Sequence, residues 1–508
     1  MSDWHQLMPE IVPGTQAVRS TTTRQTTVPT MGRGTRSVDA ARVDRLTAQW
    51  MATSNSIDQE LRFDLDRLRQ RSRQQANSND YVRKFLSMVA RNVIGPTGFT
   101  LMCRSIDAPG KPDGLANTAI ETHFARWARK GVCDISGRMS FADLQRAIVK
   151  AVARDGEALV LRIRGNGALN SYGYALQLLD IARLDTQMNM TTLRNGNSIV
   201  MGVEMNPAQR PVAYWLFEQN PGGPQGGSQH RRVLAEDVFH IYTMDRPEQT
   251  RGFPWLHTAL LRLHNLKGYE EAAVIAARVG ASKMGFFTTP DGDPSALAGG
   301  TDSNGHYVTE ASPGTFDVLP VGVEFQSYNP DYPHQQYGEF VKAALRGISS
   351  GLDVSYNSLA NDLEGVSYSS IRSGVLEERD QWMTLQGWFI EAFLIPVYED
   401  WLQTALLNGA ITQVNGSALP IAKIDKFMAH IWQGRRWQWV DPLKDIEAAR
   451  LSIQTGVASP QMIAAQLGVD VEDMLDDIAR FEQYVQQAGV STVNFNNQPM
   501  AAPADTTA

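Results

Sequence analysis

The chain has 508 residues, 43% hydrophobic and 20% charged, which is typical of a globular protein with several domains or sub-domains. Its formal net charge of -7 argues against tight binding of duplex DNA by the chain as a whole, because such affinity comes from neutralising phosphates. With Cys103 and Cys133 as its only cysteines, it carries no disulfide framework, so we expect a reducing compartment. We recognise no signal peptide or membrane span and expect a soluble protein.

The N-terminal part of the chain is predicted to be an arm followed by helices. Residues 1–38 are rich in Thr, Arg and Pro, and predict a flexible arm or one that orders on assembly. Residues 37–104 have a helical pattern, with nine basic and four acidic residues between positions 60 and 104. That excess is typical of a solvated helix face, or of a contact with an acidic subunit or nucleic acid. The glycines and proline of residues 92–98 predict where the helical run ends.

Residues 99–242 predict a mixed α/β region. Helices are expected at 120–130 and 141–154, the second opened by a capping pair, Ser140 and Asp143. Strands are expected in five places: 158–164, 175–180, 198–206, 212–218 and 238–242. The sequence PGGPQGGSQH at 221–230 predicts a surface loop or hairpin tip. The fold class predicted for the chain is therefore α+β.

Two helices separated by short strands are predicted next. The first spans 253–283, with Pro254 in its first turn. Small residues fill its second half and favour close packing against another helix, including one from another subunit: Ala272, Ala273, Ala276, Ala277, Gly280 and Ala281. Residues 285–333 predict strands around a Gly/Asp/Pro loop, and residues 335–348 predict a short amphipathic helix.

A long polar loop and a very long helix are the most informative part of the sequence. Residues 352–367 are rich in Ser, Asn and Asp, and a helix is predicted from 368 to 401. A long polar loop between ordered helices is usually functional or disordered. Nothing around it is typical of a site that breaks covalent bonds, which indicates a mechanical or assembly protein rather than an enzyme. Residues 441–487, with nine acidic and three basic residues, are predicted to be helical.

Enzyme motifs are absent or incomplete. The sequence contains neither GxxxxGK[ST], which would cradle ATP phosphates, nor HExxH. Residues 347–351 match GxSxG around Ser349, but a nucleophile elbow needs a preceding strand, and a helix is predicted there. A serine hydrolase is therefore a disfavoured alternative, and we predict no catalytic residues.

Metal motifs are also incomplete. Asp291 and Asp293 begin an EF-hand-like pattern, but Ala296 replaces its glycine and Asp302 stands where a glutamate should close the loop. His257 and His264 are seven residues apart on one predicted helix face, and no further ligand is evident. We predict no metal site and no cofactor.

Several local motifs together resemble those of the portal proteins of tailed double-stranded DNA phages, of the lambda type. The resemblance covers roughly residues 40–482. The motifs are LRxRSR at 68–73, NVIGPTG at 92–98, RDGE at 154–157, RGFPW at 251–255, YSSIR at 368–372 and WVDPLK at 439–444, the last followed by GVAS at 456–459. One departure is Pro460, where many relatives have a basic residue.

The resemblance implies the phage portal fold in a ring of usually about twelve subunits at one capsid vertex. It implies these parts: flexible arm 1–38, α/β wing 39–252, stem helix 253–284, clip 285–333, second stem helix 334–351, channel loop 352–367, long spine helix 368–402, return to the wing 403–440, helical crown 441–487 and flexible tail 488–508.

The resemblance also implies partners and sites. The partners are double-stranded DNA in transit, the large terminase, major capsid and scaffold proteins, and head-completion or tail connector proteins, with no membrane. The chain would reside in the virion, and in the host cytoplasm during assembly. Candidate channel residues are Lys342, Arg346, Ser355, Asn357, Ser358, Asn361, Asp362 and Glu364. Candidate clip residues for partner docking are Asp291, Asp293, Asp302 and Asn304.

A channel that passes DNA should not bind it strongly. Ser and Asn side chains in the loop offer weak hydrogen bonds, and its carboxylates repel phosphate. Lys342 and Arg346 offer isolated positive contacts to DNA, or belong to a solvated helix face or an intersubunit ion pair. A non-portal virion connector or scaffold is the other alternative for the whole chain.

Overall fold

A computed structural model describes residues 54–107, 110–224, 226–281, 285–288, 300–301, 307–308, 324–327, 336–364, 368–437, 442–467 and 471–488. The predicted arm at 1–38 lies outside the described residues, as do the four clip candidates and residues 489–508 of the predicted tail.

Thirteen α-helices and fifteen strands form the described part of the chain. The helices α1 to α13 are Ile57–Ser78, Asp80–Val89, Gly114–Trp127, Phe141–Asp155, Leu260–Ala281, Tyr337–Gly351, Tyr356–Ala360, Tyr368–Phe389, Ile395–Leu407, Ile424–Phe427, Pro442–Gln454, Pro460–Leu467 and Val471–Ala488. The strands β1 to β15 are Thr100–Cys103, Ile106–Asp107, Lys111–Pro112, Glu157–Arg164, Tyr174–Leu179, Ser198–Val200, Val203–Met205, Pro211–Phe217, His230–Leu234, Val238–Tyr242, Gly285–Thr288, Gly300–Thr301, Tyr307–Val308, Glu324–Ser327 and His430–Gln433.

The helical run predicted at 37–104 is divided into α1 and α2, and it ends at Ile94, within the residues 92–98 that predict its end. Asn79 has an extended backbone between α1 and α2, and its side chain accepts hydrogen bonds from the first backbone N–H groups of α2. A π-helical turn, Ala90–Ile94, follows α2 and stops at Gly95, where φ is 81°. Residues 100–103 form β1 instead of helix, because they pair in antiparallel register with β15 from the far end of the chain.

Two further element predictions are corrected in the mixed region. The helix expected at 120–130 begins at Gly114, capped by the side chain of Asp113, and ends at Trp127. The strand expected at 198–206 is a tight hairpin of β6 and β7. Its turn residues, Met201 and Gly202, both have positive φ, 46° and 85°, which is the backbone of the two-residue turns that join antiparallel strands.

Antiparallel sheets confirm the predicted α+β class. Strands β10, β4 and β5 form one sheet in that order, and β6 to β9 form a second in sequence order. A small apolar core joins the two sheets, with Leu159 and Leu161 of β4 against Tyr214 and Leu216 of β8.

The main core gathers aromatic rings from distant parts of the chain. Phe124 of α3 lies 5.2 Å from Trp127, 5.0 Å from Trp401 and 5.6 Å from Trp432, measured between ring centroids. Trp127 also donates a hydrogen bond from Nε1 to the carbonyl of Tyr174, at 2.8 Å. The core therefore ties α3, α9 and β15 to the sheet that contains β5.

The helix predicted to start at Phe253 begins seven residues later, at Leu260. Its expected first turn is replaced by separate turns, in which His257 N donates to Pro254 O and Ala259 N donates to Leu256 O. Trp255 N donates to Ala153 O of α4 at 3.1 Å. This contact fixes the segment against α4, which explains why the helix starts only after it.

The helix predicted from 368 to 401 continues to Leu407 as α8 and α9, joined by a π-helical turn, Ile390–Leu394. Pro396 lies in the first turn of α9, and it has no N–H to donate to the preceding turn. The wider turn directly before it accommodates the missing hydrogen bond.

The described part of residues 441–487 contains α11, α12 and α13, in line with the predicted helical segment, and a non-helical turn at 455–459 separates the first two. Pro460 occupies the first position of α12, after Ser459, whose hydroxyl accepts a hydrogen bond from Met462 N. A proline is well suited there, which accounts locally for the departure noted in the sequence. Within the described segments, no helix has both the length and the apolar run that a bilayer crossing requires.

Candidate functional site

The described part of the predicted channel loop, residues 352–364, is called the polar loop from here on, and it is ordered around the short helix α7. Ser355 caps α7 by accepting a hydrogen bond from Ser358 N at 3.2 Å. Asp353 and Asn361 flank the helix with φ of 54° and 55°, a backbone that short polar side chains tolerate. The sequence predicted the polar composition of this loop but not its helix.

Apolar side chains fix the polar loop to the main core. Leu352, Val354 and Leu359 are buried, and they pack in the same cluster as Ile348 of α6. Val354 N also donates to Ser349 O at 3.1 Å. The loop is therefore anchored at both ends of α7, and its polar side chains project from a fixed backbone.

The two loop serines are held by a carboxylate of α8. Ser355 Oγ and Ser358 Oγ lie 2.7 and 2.8 Å from Glu378 Oε2 and donate to it. Trp382 Nε1 donates to the other oxygen, Glu378 Oε1, at 3.2 Å. Glu378 was not identified from the sequence, because nothing in the pattern of α8 distinguishes it from neighbouring exposed acids.

The cation Lys342 of α6 is paired with loop carboxylates. Its Nζ lies 3.5 Å from Asp362 and 3.6 Å from Glu364. The hydroxyl of Tyr356 donates to Asp362 Oδ2 at 2.7 Å. That hydrogen bond, with Glu364 N and Lys342, lowers the pKa of Asp362 below its ordinary value. This side of the loop is thus a balanced set of opposite charges.

The remaining channel candidates lie around the same loop. The guanidinium of Arg346 is 5.5 Å from the centre of the Tyr356 ring, a cation–π contact. Asn361 is exposed, and its Oδ1 accepts a hydrogen bond from Lys84 Nζ of α2. Asn357 is half-buried in α7. The eight channel candidates therefore belong to α6 and one ordered loop, and several of them bind each other.

A helix precedes the GxSxG serine, as the sequence indicated, and it continues through the motif to Gly351. Ser349 is buried in α6, and its Oγ donates to Leu345 O at 2.7 Å, one turn earlier. The strained strand-to-helix turn of a nucleophile elbow is not formed there.

The structure corrects the prediction that His257 and His264 lie on one helix face. His257 precedes α5, and His264 lies within it, so the two do not share one helix face as the sequence suggested. In the described residues, no group of three or more His, Cys, Asp or Glu side chains has the arrangement of a metal site.

A buried ionic cluster forms a second notable site, and the sequence reasoning missed it. It consists of Glu157, Arg69, Arg251 and His240, from β4, α1, the segment before α5, and β10. Arg69 Nη2 and Arg251 Nη2 donate to Glu157 Oε1 at 2.7 and 2.6 Å. His240 Nε2 lies 2.6 Å from Glu157 Oε2. This arrangement neutralises a fully buried carboxylate with hydrogen-bonded cations.

The environment of the ionic cluster changes the pKa of Glu157 and of His240. Burial alone would raise the pKa of Glu157, but Arg251 and His240 hold it well below its ordinary range. Burial lowers the pKa of His240, and this effect exceeds the opposing influence of Glu157. The carboxylate is therefore charged and the imidazole neutral near pH 7.

Two glycines let the backbone pass close to the cluster. Gly156 has φ of 93°, and a Cβ there would lie 2.3 Å from the carbonyl carbon of Phe253. A Cβ on Gly252 would lie 2.2 Å from Gly156 O. The three motifs LRxRSR, RDGE and RGFPW thus meet at this cluster, each supplying a charge, a glycine or both.

Comparison with known proteins matches this chain to one protein family and to phage proteins with related names. Residues 43–386 match the family described as "Phage portal protein, lambda family". The chain is 36% identical over 462 residues to a protein of Halomonas phage phiHAP-1 named "Probable portal protein", with 88% of this chain and 87% of that protein covered. It is 19% identical over 472 residues to "Portal protein B" of Escherichia phage lambda, with 87% and 88% covered.

Solved structures give a weaker similarity. A structure described as "Neck of empty GTA particle computed with C6 symmetry" contains a chain that is 13% identical, with a TM-score of 0.42, and the match covers 80% of this chain and 93% of that one.

Proposed function

The chain belongs to the lambda family of phage portal proteins, and from this premise we propose that its copies close into a ring that conducts DNA at one vertex of a capsid. Portal proteins are structural components of the virion, where they connect capsid and tail. The observation that carries the proposal is the family match over residues 43–386. Genome packaging and ejection through the ring are the functions it would serve.

An exposed face of α5 supports the ring. Val274 and Ile275 are 57% and 59% exposed in the single chain, and Ala272 and Ala277 are exposed beside them. Small and apolar side chains along one helix allow close packing of a second helix. A neighbouring subunit would cover this face, which is the intersubunit option that the sequence left open for small residues such as Ala272 and Ala277.

The proposed parts follow the family pattern. Helices α5 and α6 would be the stem, with the clip, residues 285–333, between them. Residues 352–367 would be the channel loop, residues 368–402 the spine, and α11 to α13 the crown. Residues 39–252 and 403–440 would form the wing.

A weakly binding channel lining is supported by the charges of the polar loop. Lys342 is already paired with Asp362 and Glu364, and the loop serines already donate to Glu378. A passing phosphate would have to compete with these partners. These groups of the polar loop and Lys342 would therefore contact DNA only weakly, as a conduit requires.

The proposed partners are those of a portal ring. Asp291, Asp293, Asp302 and Asn304 would be docking residues of the clip for a large terminase and later for tail connector proteins. Capsid and scaffold proteins would contact the wing, and assembly would occur in the host cytoplasm. ATP hydrolysis would belong to the terminase, since the chain carries no P-loop sequence.

Electron microscopy of the purified chain tests the proposal. Two-dimensional class averages should show rings with a central hole, and immunogold labelling should mark a single vertex of each capsid. Protein that stays monomeric under assembly conditions and labels capsids at many positions would overturn the portal function.

A further inference from the structure

A basic pocket of about 440 Å³ lies between α2, α8 and the residues after β15. Four cationic side chains line it: Lys84, Arg91, Arg379 and Arg435. Among the described residues, Glu378 is the only carboxylate in the lining. Both of its oxygens accept hydrogen bonds from Trp382 and the serines of the polar loop. The carboxylate is thus already hydrogen-bonded to neutral donors of the lining and the polar loop.

Neutral contacts hold the cations of the pocket together. Arg435 Nη1 donates to Arg91 O at 2.6 Å and to Asn92 Oδ1 at 2.7 Å. The guanidinium groups of Arg435 and Arg379 lie 5.5 and 5.9 Å from the centre of the Trp437 ring. Among the described residues, none of the four cations has a carboxylate within salt-bridge distance. Neutral hydrogen bonds and ring contacts therefore position Arg435, and a ring contact helps to position Arg379.

The cations also repel each other. Burial lowers the pKa of Arg435, and the nearby charges of Arg91 and Arg379 lower it further. Burial likewise lowers the pKa of Arg379, although Asp445 acts in the opposite direction. Arg379 Nε is buried and has no hydrogen-bond acceptor among the described residues. An unsatisfied buried donor among like charges is stabilised by an anion with several acceptor oxygens.

We propose that this pocket binds a phosphate group, and that the group belongs to the nucleic acid backbone. Guanidinium groups bind phosphate oxygens in a paired geometry, and three of them converge here with an ammonium group. Ser358 and Asn361 of the polar loop also line the pocket, so it opens beside the loop assigned to the channel. The choice of DNA over free phosphate rests on the proposed function, whereas phosphate binding itself does not.

Calorimetric titration of the full chain with inorganic phosphate, at constant ionic strength, tests the site. Arg91 is exposed and its side chain has no hydrogen bond or ion pair with a described residue, so Arg91→Gln should fold normally. Arg91→Gln and Arg379→Gln should each weaken phosphate binding by about tenfold. Arg83→Gln, which removes an exposed charge of α2 that does not line the pocket, should bind as the unmodified chain does. If phosphate binding is not saturable, or if all variants bind phosphate equally, the proposed phosphate site is wrong.

Competition identifies the source of the phosphate. A short blunt-ended DNA duplex should displace inorganic phosphate from the unmodified chain, and Arg91→Gln should bind that duplex more weakly. Phosphate binding without displacement by the duplex would overturn the assignment to nucleic acid. Displacement by a polyglutamate peptide at lower concentration than by the duplex would overturn it in favour of an acidic protein segment. Because the titration does not need a ring, failure of assembly and failure of the pocket are separate results.

Discussion

At the scale of single residues, Glu157 is the central carboxylate of the buried ionic cluster. It is fully buried and bound by Arg69 and Arg251. Glu157→Gln removes its charge, leaves the buried Arg251 without its carboxylate partner, and leaves Arg69 with Asp66 at 3.6 Å. We expect this change to lower the free energy of unfolding by about 3–5 kcal/mol, as for other broken buried ion pairs. Urea denaturation followed by circular dichroism measures it.

The control is an exposed pair that joins α1 to the segment just before Arg251. Arg246 Nη1 lies 3.2 Å from Glu60 Oε2, with both side chains more than 40% exposed. Glu60→Gln should change the free energy of unfolding by less than about 1 kcal/mol. Similar losses in the two variants would show that burial of the Glu157 cluster contributes little.

His240 gives the ionic cluster a pH dependence. Because burial lowers its pKa below the ordinary 6.5, the unfolded chain binds a proton there at a pH where the folded chain does not. Stability should therefore fall as the pH decreases below about 6.5, the ordinary pKa that the unfolded chain retains. His240→Gln keeps an N–H donor near Glu157 and should reduce this loss, measured as urea midpoints at several pH values. The exposed His257→Gln should retain the full dependence, and an unchanged slope in His240→Gln would contradict the prediction.

At the scale of elements, the polar loop depends on one side chain of α8. Glu378 accepts hydrogen bonds from Ser355 and Ser358, and these hydroxyls close the first turn of α7. Glu378→Ala should therefore speed hydrogen exchange of loop amides such as Leu359 N by about tenfold, since hydrogen bonds to a charged group are lost. Exchange read by mass spectrometry checks this.

The neighbouring acid is a matched control for the loop. Glu377 is exposed, and Glu377→Ala removes the same charge from the same turn of α8. Its loop exchange should equal that of the unmodified chain. Faster exchange in both variants would indicate that net charge, and not the hydrogen bonds to Glu378, controls the loop.

The sequence predicted the positions of helices and strands better than it predicted the contacts between distant side chains. Capping and periodicity are local, so Ser140 correctly marked the start of α4, whose capping box is formed. Long-range contacts are not local, and Glu157 is 88 residues from Arg69 and 94 from Arg251. Periodicity contains no signal for such pairs. The same limit explains the late start of α5, which follows from contacts with α4.

For the candidate channel residues, too, the local pattern was predictable and the long-range contacts were not. Their polar character was evident from composition, whereas Glu378 and Lys84 became visible as partners only in three dimensions, Lys84 being 277 residues from Asn361. The recurring charges and glycines in LRxRSR, RDGE and RGFPW were the one available signal for the ionic cluster. These motifs indicate the family, and the structure shows that they also meet in space at Glu157.

At the scale of the whole molecule, the charge balance on α6 should affect DNA more than assembly. Lys342 is 42% exposed, and its ion pairs contribute little to stability. The double substitution Lys342→Ala with Arg346→Ala should leave ring formation intact and alter DNA packaging or retention, measured as protected DNA per capsid. Collapse of the ring would show instead that the two cations are structural.

The exposed face of α5 should decide whether a ring forms. Ile275→Asp places a charge where a neighbouring subunit is proposed to pack, and burying an unpaired carboxylate is costly. Because Ile275 is exposed in the single chain, the variant should fold with an unchanged circular dichroism spectrum. Mass photometry should then show monomers or small oligomers in place of rings. Asn265→Asp adds the same charge at an exposed polar position of α5 and should still assemble. Rings formed by Ile275→Asp would place the subunit contact elsewhere on the molecule.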